Sequence, residues 1–182
     1  LALELGIPLN GVDPVLLSLG TKSGSRQTFA AARVPHPAGF EDLNTEDEIV
    51  RALCELAEQR PDIQRAVVKI NEGFSGEGNG VFNYPEAKTD PQKVRQALSQ
   101  LEWSSEGGSI VAFLRKFEQM GGIVEEMIDA PEVRSPSVQM RIYPDGQAVL
   151  VSSHEQVLGG NTGQVYLGCR FPAREEYRLM IQ

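Results

Sequence analysis

Lys69 closes a short apolar run of β-type residues, Ala66-Val67-Val68, and seven positions later the chain enters the glycine-rich stretch Gly76-Glu77-Gly78-Asn79-Gly80. A lysine at the end of a strand offers a fixed cation to phosphate oxygens, and nearby glycines let backbone N–H groups approach a polyphosphate closely. The chemistry this spacing could do is therefore nucleotide binding. It is not a Walker-type loop, which carries its lysine after the glycines and before Ser or Thr. Nor is it a dinucleotide fingerprint, because no strand runs directly into Gly-x-Gly-x-x-Gly and a helix. A β-hairpin with a glycine-rich tip would present the same residues, so this segment alone leaves both readings open.

A second polar group, His154-Glu155-Gln156, ends a strand-like run and is followed by Gly159-Gly160 and by Asn161, Thr162 and Gln164. Polar side chains clustered at strand ends are typical of binding sites on rigid scaffolds, although a hairpin with a polar tip fits equally well. His36, between Pro35 and Pro37, reads as structural.

Hydrophobic periodicity and punctuation supply the elements that must position these groups. Thr21 to Ala32 reads as a helix, and the following VPHPAGF as extended, since proline disfavours helix before it. Thr45 is an expected N-cap with Glu48 at the capping-box position, for a helix running to Gln59. Ala66 to Asn71 is the first strong strand. Pro91–Leu101 and Gly108–Met120 read as helices, the second with Ile110, Val111, Leu114 and Phe117 on one face. Four strands follow, GIVEEMI, SPSVQMRIYP, QAVLVSSHEQ and GQVYLGCRF, with Pro144-Asp145-Gly146 as the turn between the second and third. Helices and strands in this order predict an α+β arrangement.

Composition bounds the rest. The chain has 182 residues, 41% of them hydrophobic, enough for one domain or two small lobes with a real core. A net charge of −8 without a basic cluster argues against a nucleic-acid surface. The two cysteines, Cys54 and Cys169, have no metal-ligand spacing and suggest a reducing, cytoplasmic compartment. No apolar run reaches the roughly 18 residues of a membrane span. The apolar LALELGIPL at the start and EEYRLMIQ at the end would each need a partner surface, so the chain is expected to be part of a longer protein.

Taken together, the segments resemble the nucleotide-binding half of an ATP-grasp enzyme, in which two α+β lobes hold ATP between them. Thr21-Lys22-Ser23-Gly24-Ser25-Arg26 with AARVPHPAGF is similar to the family's D-K-x-x-x-K and G-[VI]-P-x-P segment. Val67-Val68-Lys69 with its glycine loop follows, then Val124-Glu125-Glu126-Met127-Ile128 with Glu132, similar to V-E-x-x-I-x-G-x-E, and finally the strand series. The phrases GTKSGSR, EVRSPSVQMRIYPDG and SSHEQVLGGNTGQVYLGCRFPA are similar to the pheganomycin-type peptide ligase branch.

The resemblance implies specific roles. Lys22 and Lys69 would hold the α- and β-phosphates as point charges, and Gly76, Gly78 and Gly80 would form the lid over them. Glu125 would accept from the adenine amino group, the backbone of Glu126 and Ile128 would read the rest of the adenine edge, and Glu132 would accept the ribose hydroxyls. His154 or Gln156 would face the triphosphate, with Arg141 and Arg170 offering cations to the γ-phosphate or to a substrate carboxylate. Without the resemblance, Lys22 and Glu132 read as ordinary solvated residues. Glu125 and Glu126, adjacent on a strand, must point to opposite faces.

The implied architecture is two small lobes: residues 1–64 lead in, 65–128 carry the glycine-rich loop, and 129–182 begin an incomplete C-terminal lobe. The implied reaction is ATP-dependent joining of a carboxylate and an amine, or of peptide substrates, through an acyl phosphate with release of ADP. Mg²⁺ would accompany the triphosphate, with its ligands outside this chain, leaving the chain inactive by itself. The alternative is a non-catalytic nucleotide-binding module with a regulatory or interaction role.

Overall fold

The computed structural model describes residues 2–7, 11–73, 78–103 and 108–181. Helix α1 (Ala2–Leu5), a 3-10 turn at Pro14–Gly20 and α2 (Lys22–Ala31) precede a five-stranded sheet. Its strands are β1 (Gly39–Leu43), β2 (Arg65–Ile70), β3 (Asn79–Asn83), β4 (Glu102–Trp103) and β5 (Gly122–Glu126), ordered β1-β5-β2-β3-β4 and antiparallel at every pairing. Alternation along β2 turns Ala66, Val68 and Ile70 toward α3 (Glu46–Gln59), α4 (Pro91–Leu98) and α5 (Ile110–Met120), where they meet Leu53, Leu56, Val94 and Phe117. Val67 and Lys69 therefore occupy the opposite face.

The α3 start follows the capping box read from the sequence. Thr45 Oγ1 accepts the Glu48 N–H at 3.2 Å, and the Glu48 carboxylate accepts the N–H groups of Asn44 at 2.7 Å and Thr45 at 2.9 Å. Those two backbone donors, the Asn44 one foremost, hold the Glu48 carboxyl below its ordinary value. Thr45→Ala is expected to lower stability by about 1 kcal/mol. An unchanged urea midpoint would show that the cap contributes nothing.

The three-stranded second sheet joins β6 (Pro136–Ile142), β7 (Ala148–Gly159) and β8 (Val165–Arg170) in that order, all antiparallel, and α6 (Glu175–Arg178) follows. The expected β6–β7 turn is present: Gly146 has φ +84° and the Tyr143 N–H donates to Gln147 O at 2.9 Å. Antiparallel sheets with helices against one of them meet the α+β expectation.

Three details differ from the sequence reading. Helix α4 ends at Leu98, and Leu101 turns back into the core. On α5 the buried side chains are Phe113 and Phe117, while Val111 is 66% exposed. A step of 100° per residue sets Val111 on the flank of the stripe that Ile110, Phe113, Leu114 and Phe117 share. β1 and β4 lie outside the expected strands, and β3 enters the sequence reading only through the hairpin alternative. They are short and lie among proline, glycine and polar residues, and their pairing depends on neighbours distant in sequence.

Candidate functional site

On the sheet face opposite α3–α5, β2 and β5 pair Lys69 with Ile123 and Val67 with Glu125, so Lys69 and Glu125 are diagonal neighbours. Lys69 Nζ lies 2.5 Å from Glu125 Oε1. The other carboxylate oxygen of Glu125 accepts from Arg26 Nη1 at 3.1 Å. That guanidinium also donates from Nη1 to Pro37 O at 2.9 Å and pairs through Nε with Glu41 at 3.0 Å. Arg26 is only 5% exposed, an interior cation satisfied by two carboxylates and a carbonyl. The approach of β1 requires Gly39 opposite Glu125: a Cβ there would lie 2.2 Å from Val124 O and 2.7 Å from Glu125 Cα.

Lys22 opens α2 behind the N-cap Thr21, whose Oγ1 accepts the Gly24 N–H at 3.0 Å. Asn71, at the root of the loop that leaves β2, fastens this helix start to the sheet. Its Oδ1 accepts from Ser23 N at 2.9 Å and Ser23 Oγ at 2.8 Å, its carbonyl accepts the Lys22 N–H at 3.3 Å, and its Nδ2 donates to Met120 O at 3.0 Å. The Lys22 ammonium reaches the Gly73 carbonyl at 3.4 Å. Burial first, and then the neighbouring Lys69 charge, lower the Lys22 pKa below its ordinary 10.5, with Glu125 opposing.

This depression gives opposite signs for stability and for phosphate binding. The unfolded chain holds the Lys22 proton to higher pH than the folded chain does. The Lys22 contribution to the stability of the unliganded protein therefore rises with pH through the window between the lowered folded value and 10.5, and that gain is lost as pH falls through the folded value. Affinity for a phosphate anion falls over the same window as the amine becomes neutral. The difference between the wild type and Lys22→Met isolates both trends: in denaturation and ADP titrations across this range, the stability difference is expected to move in favour of the wild type and the affinity difference against it. Differences of the same sign would contradict the assignment.

The other expected site residues are placed as follows. Gly76 lies outside the described residues. Gly78 has φ +79° and its carbonyl accepts the Ile70 N–H at 3.1 Å, while Gly80 sits within β3 opposite Val68 and faces Leu101. Glu126 and Glu125 do point to opposite faces: Glu126 accepts the Ala38 N–H at 3.0 Å and lies 3.4 Å from Arg60. Residues 59–65 and 126–129 bound an open cleft of about 540 Å³ that includes the exposed Ile128. Glu132 is exposed and paired with Arg134.

On the second sheet, the His154 ring packs against Phe171 with centroids 5.6 Å apart. Arg170 sits opposite Glu155, whereas Arg141 sits opposite Val149, six residues away along β7, so strand rise separates the two arginines by about 20 Å. Arg170 instead shares a cleft with Arg134 and Arg174, and Arg174 Nε is 3.8 Å from the buried Glu155 Oε2.

Sequence reasoning assigned no role to Arg26, Glu41 or Asn71. The available signals were positional: Arg26 is one helical turn after Lys22, and Asn71 is two residues after Lys69. Among the described residues, no three His, Cys, Asp or Glu side chains converge on a point a metal ion could occupy. Among them, too, no helix is long and apolar enough to cross a membrane.

A buried lysine–carboxylate–arginine cluster beside a glycine loop, on a sheet of this order, is set in a fold that solved proteins share. N5-carboxyaminoimidazole ribonucleotide synthetase in complex with ADP superposes with a TM-score of 0.60 at 17% identity, over 98% of this chain and 39% of that one. The Staphylococcus aureus N5-carboxyaminoimidazole synthetase complexed with ADP gives 0.61 at 12% identity, with the same coverage of 98% and 39%. D-alanyl-alanine synthetase A from Vibrio cholerae gives 0.55 at 16%, over 96% of this chain and 47% of that one. The fold is that of the ATP-grasp proteins, as the sequence resemblance implied.

Within that class, the profile described as "IQCH-like, ATP-grasp" matches residues 15–109, just over half of the chain, and the chain belongs to this family. Among curated proteins it is 28% identical to IQ motif-containing protein H of Danio rerio over 201 aligned residues, 93% of this chain and 19% of that protein. It is 34% identical to the L-propargylglycine–L-glutamate ligase of Streptantibioticus cattleyicolor over 180 residues, 96% of this chain and 35% of that protein. The chain thus spans between a fifth and about a third of these relatives.

Proposed function

We propose that this chain is the ATP-binding portion of an ATP-dependent carboxylate–amine ligase that forms peptide-type bonds through an acyl phosphate and releases ADP. The observation that carries the reading is the convergence of Lys22 and Lys69 at the root of the glycine-rich loop, in an ATP-grasp chain. Amino-acid substrates are supported by the ligase relative, and nucleotide binding by the ADP-bound structural neighbours.

In this reading Lys22 and Lys69 take the α- and β-phosphates and the segment with Gly76 and Gly78 covers them, whereas Gly80, fixed in β3 against Leu101, stands at the foot of that segment rather than over the phosphates. Glu125, the backbone of Glu126 and Ile128, and Glu132 meet adenine and ribose. His154 and Arg170 serve the γ-phosphate or the carboxylate substrate, and Arg141, toward the other end of β7, does not join them there. Because both Glu125 oxygens already hold a cation, a contact to the adenine amino group would use a remaining lone pair. Mg²⁺ would accompany the triphosphate. The lobes would divide at 1–64, 65–128 and 129–182, with β1 completing the sheet of the middle segment. A reducing cytoplasm suits Cys54 and Cys169, both free thiols.

ADP at a hundredfold excess over its dissociation constant is expected to add about 2.7 kcal/mol to the stability of the chain. No shift in the thermal midpoint would overturn the reading. The match to the IQCH-like family favours a second reading, a non-catalytic nucleotide-binding module. The two separate on whether the full-length protein releases ADP when supplied with ATP and amino acids.

A further inference from the structure

Arg26 is the one cation of the cluster buried beyond the reach of solvent, and it holds three acceptors at once: Glu125 at 3.1 Å, Glu41 at 3.0 Å and the Pro37 carbonyl at 2.9 Å. Glu125, with a side chain 12% exposed, has one oxygen on Arg26 and the other on Lys69 at 2.5 Å. Lys69 is the more exposed partner at 19% and ends a flexible four-carbon stem. The direction of the Lys69 ammonium is therefore fixed by where Glu125 sits, and the place of Glu125 is fixed by the rigid guanidinium fork behind it.

We propose that Arg26 is a positioning residue for nucleotide binding: anchored by Glu41 and Pro37, it orients the Glu125 carboxylate, which in turn holds the Lys69 ammonium ready for phosphate oxygens. This rests on the nucleotide-binding reading above. The charges agree with the role. Lys22, Lys69 and Arg26 against Glu41 and Glu125 leave the cluster at +1, so it attracts an anion while no carboxylate in it is left unpaired. When phosphate oxygens approach, an ammonium with three donors can keep Glu125 and bind the anion together. A flexible lysine in place of Arg26 would keep the charge but could not present the planar fork that meets both carboxylates and the carbonyl in fixed directions.

The test uses ADP as the probe, in calorimetric titrations of the full-length protein. Binding by the wild type establishes the nucleotide-binding reading; its absence overturns that reading and this one with it. Given binding, Arg26→Met is expected to weaken ADP on the order of tenfold and Arg26→Lys to recover part of the loss. Arg26→Lys, Glu125→Gln and the double variant then form a cycle. If Arg26 acts through Glu125, the double variant loses no more affinity than the weaker-binding single variant. Additive losses, or wild-type ADP affinity in Arg26→Lys together with Glu125→Gln, would overturn the proposal, and neither outcome depends on whether Arg26→Met folds.

Discussion

Replacing Lys69 with Met is expected to weaken ADP and ATP binding by about ten- to a hundredfold, the equivalent of one charge-assisted hydrogen bond of about 1.5–3 kcal/mol. Methionine keeps most of the stem and its packing, so the change isolates the ammonium. Lys22 remains, but it reaches the site from α2, where burial and the Lys69 charge lower its pKa. Removing Lys69 relieves that repulsion, so the Lys22 pKa should move part of the way back toward its ordinary value, with burial still lowering it. Glu125 keeps Arg26, so the fold should lose less than it would if the buried Arg26 were removed. Titration calorimetry on the variant measures the loss, and wild-type affinity would place the phosphates elsewhere.

What could be read from the chain beforehand follows the range of the interactions concerned. The capping box at Thr45 and Glu48, the turn at Pro144-Asp145-Gly146 and the strand carrying Val67 and Lys69 are set by residues a few positions apart, and the structure shows each of them. Lys69 and Glu125 were singled out in separate segments, but nothing local showed that they are diagonal neighbours, because the β2–β5 register joins residues 56 positions apart. Arg26 stands in the segment matched to the family motif but gains no role from it, for the same reason. On a helix wheel it is one more polar residue, and only the arrival of β1 and β5 buries it against Glu41 and Glu125. Arg141 and Arg170 show the converse. As arginines on strands of one sheet they invite a common role, yet the pairing along β7 sets them at opposite ends.

Phe117→Ala is expected to cost the largest share of stability of any single change considered, about 3–5 kcal/mol, against a total of roughly 5–15 kcal/mol for a domain. Phe117 is fully buried, its ring lies 5.7 Å from that of Phe113, and it presses on the start of β5 so closely that a Cβ on Gly122 would sit 2.4 Å from its Cε2. That corner also carries the site. The Gly121 carbonyl accepts the Asn71 N–H at 3.0 Å, Asn71 in turn holds Ser23 and Lys22, and Glu125 lies three residues beyond Gly122 on β5. A cavity beneath Gly122 should therefore loosen both arms of the cluster. Nucleotide added in excess should recover part of the lost stability by linkage, since it binds only the ordered arrangement. Phe117→Leu, which refills most of the volume, should restore the greater part without nucleotide. Urea denaturation of the three proteins with and without ADP measures each effect. A loss below about 1 kcal/mol for Phe117→Ala would mean that the surrounding helices collapse into the space, and the mechanical link from core to cluster would fail with it.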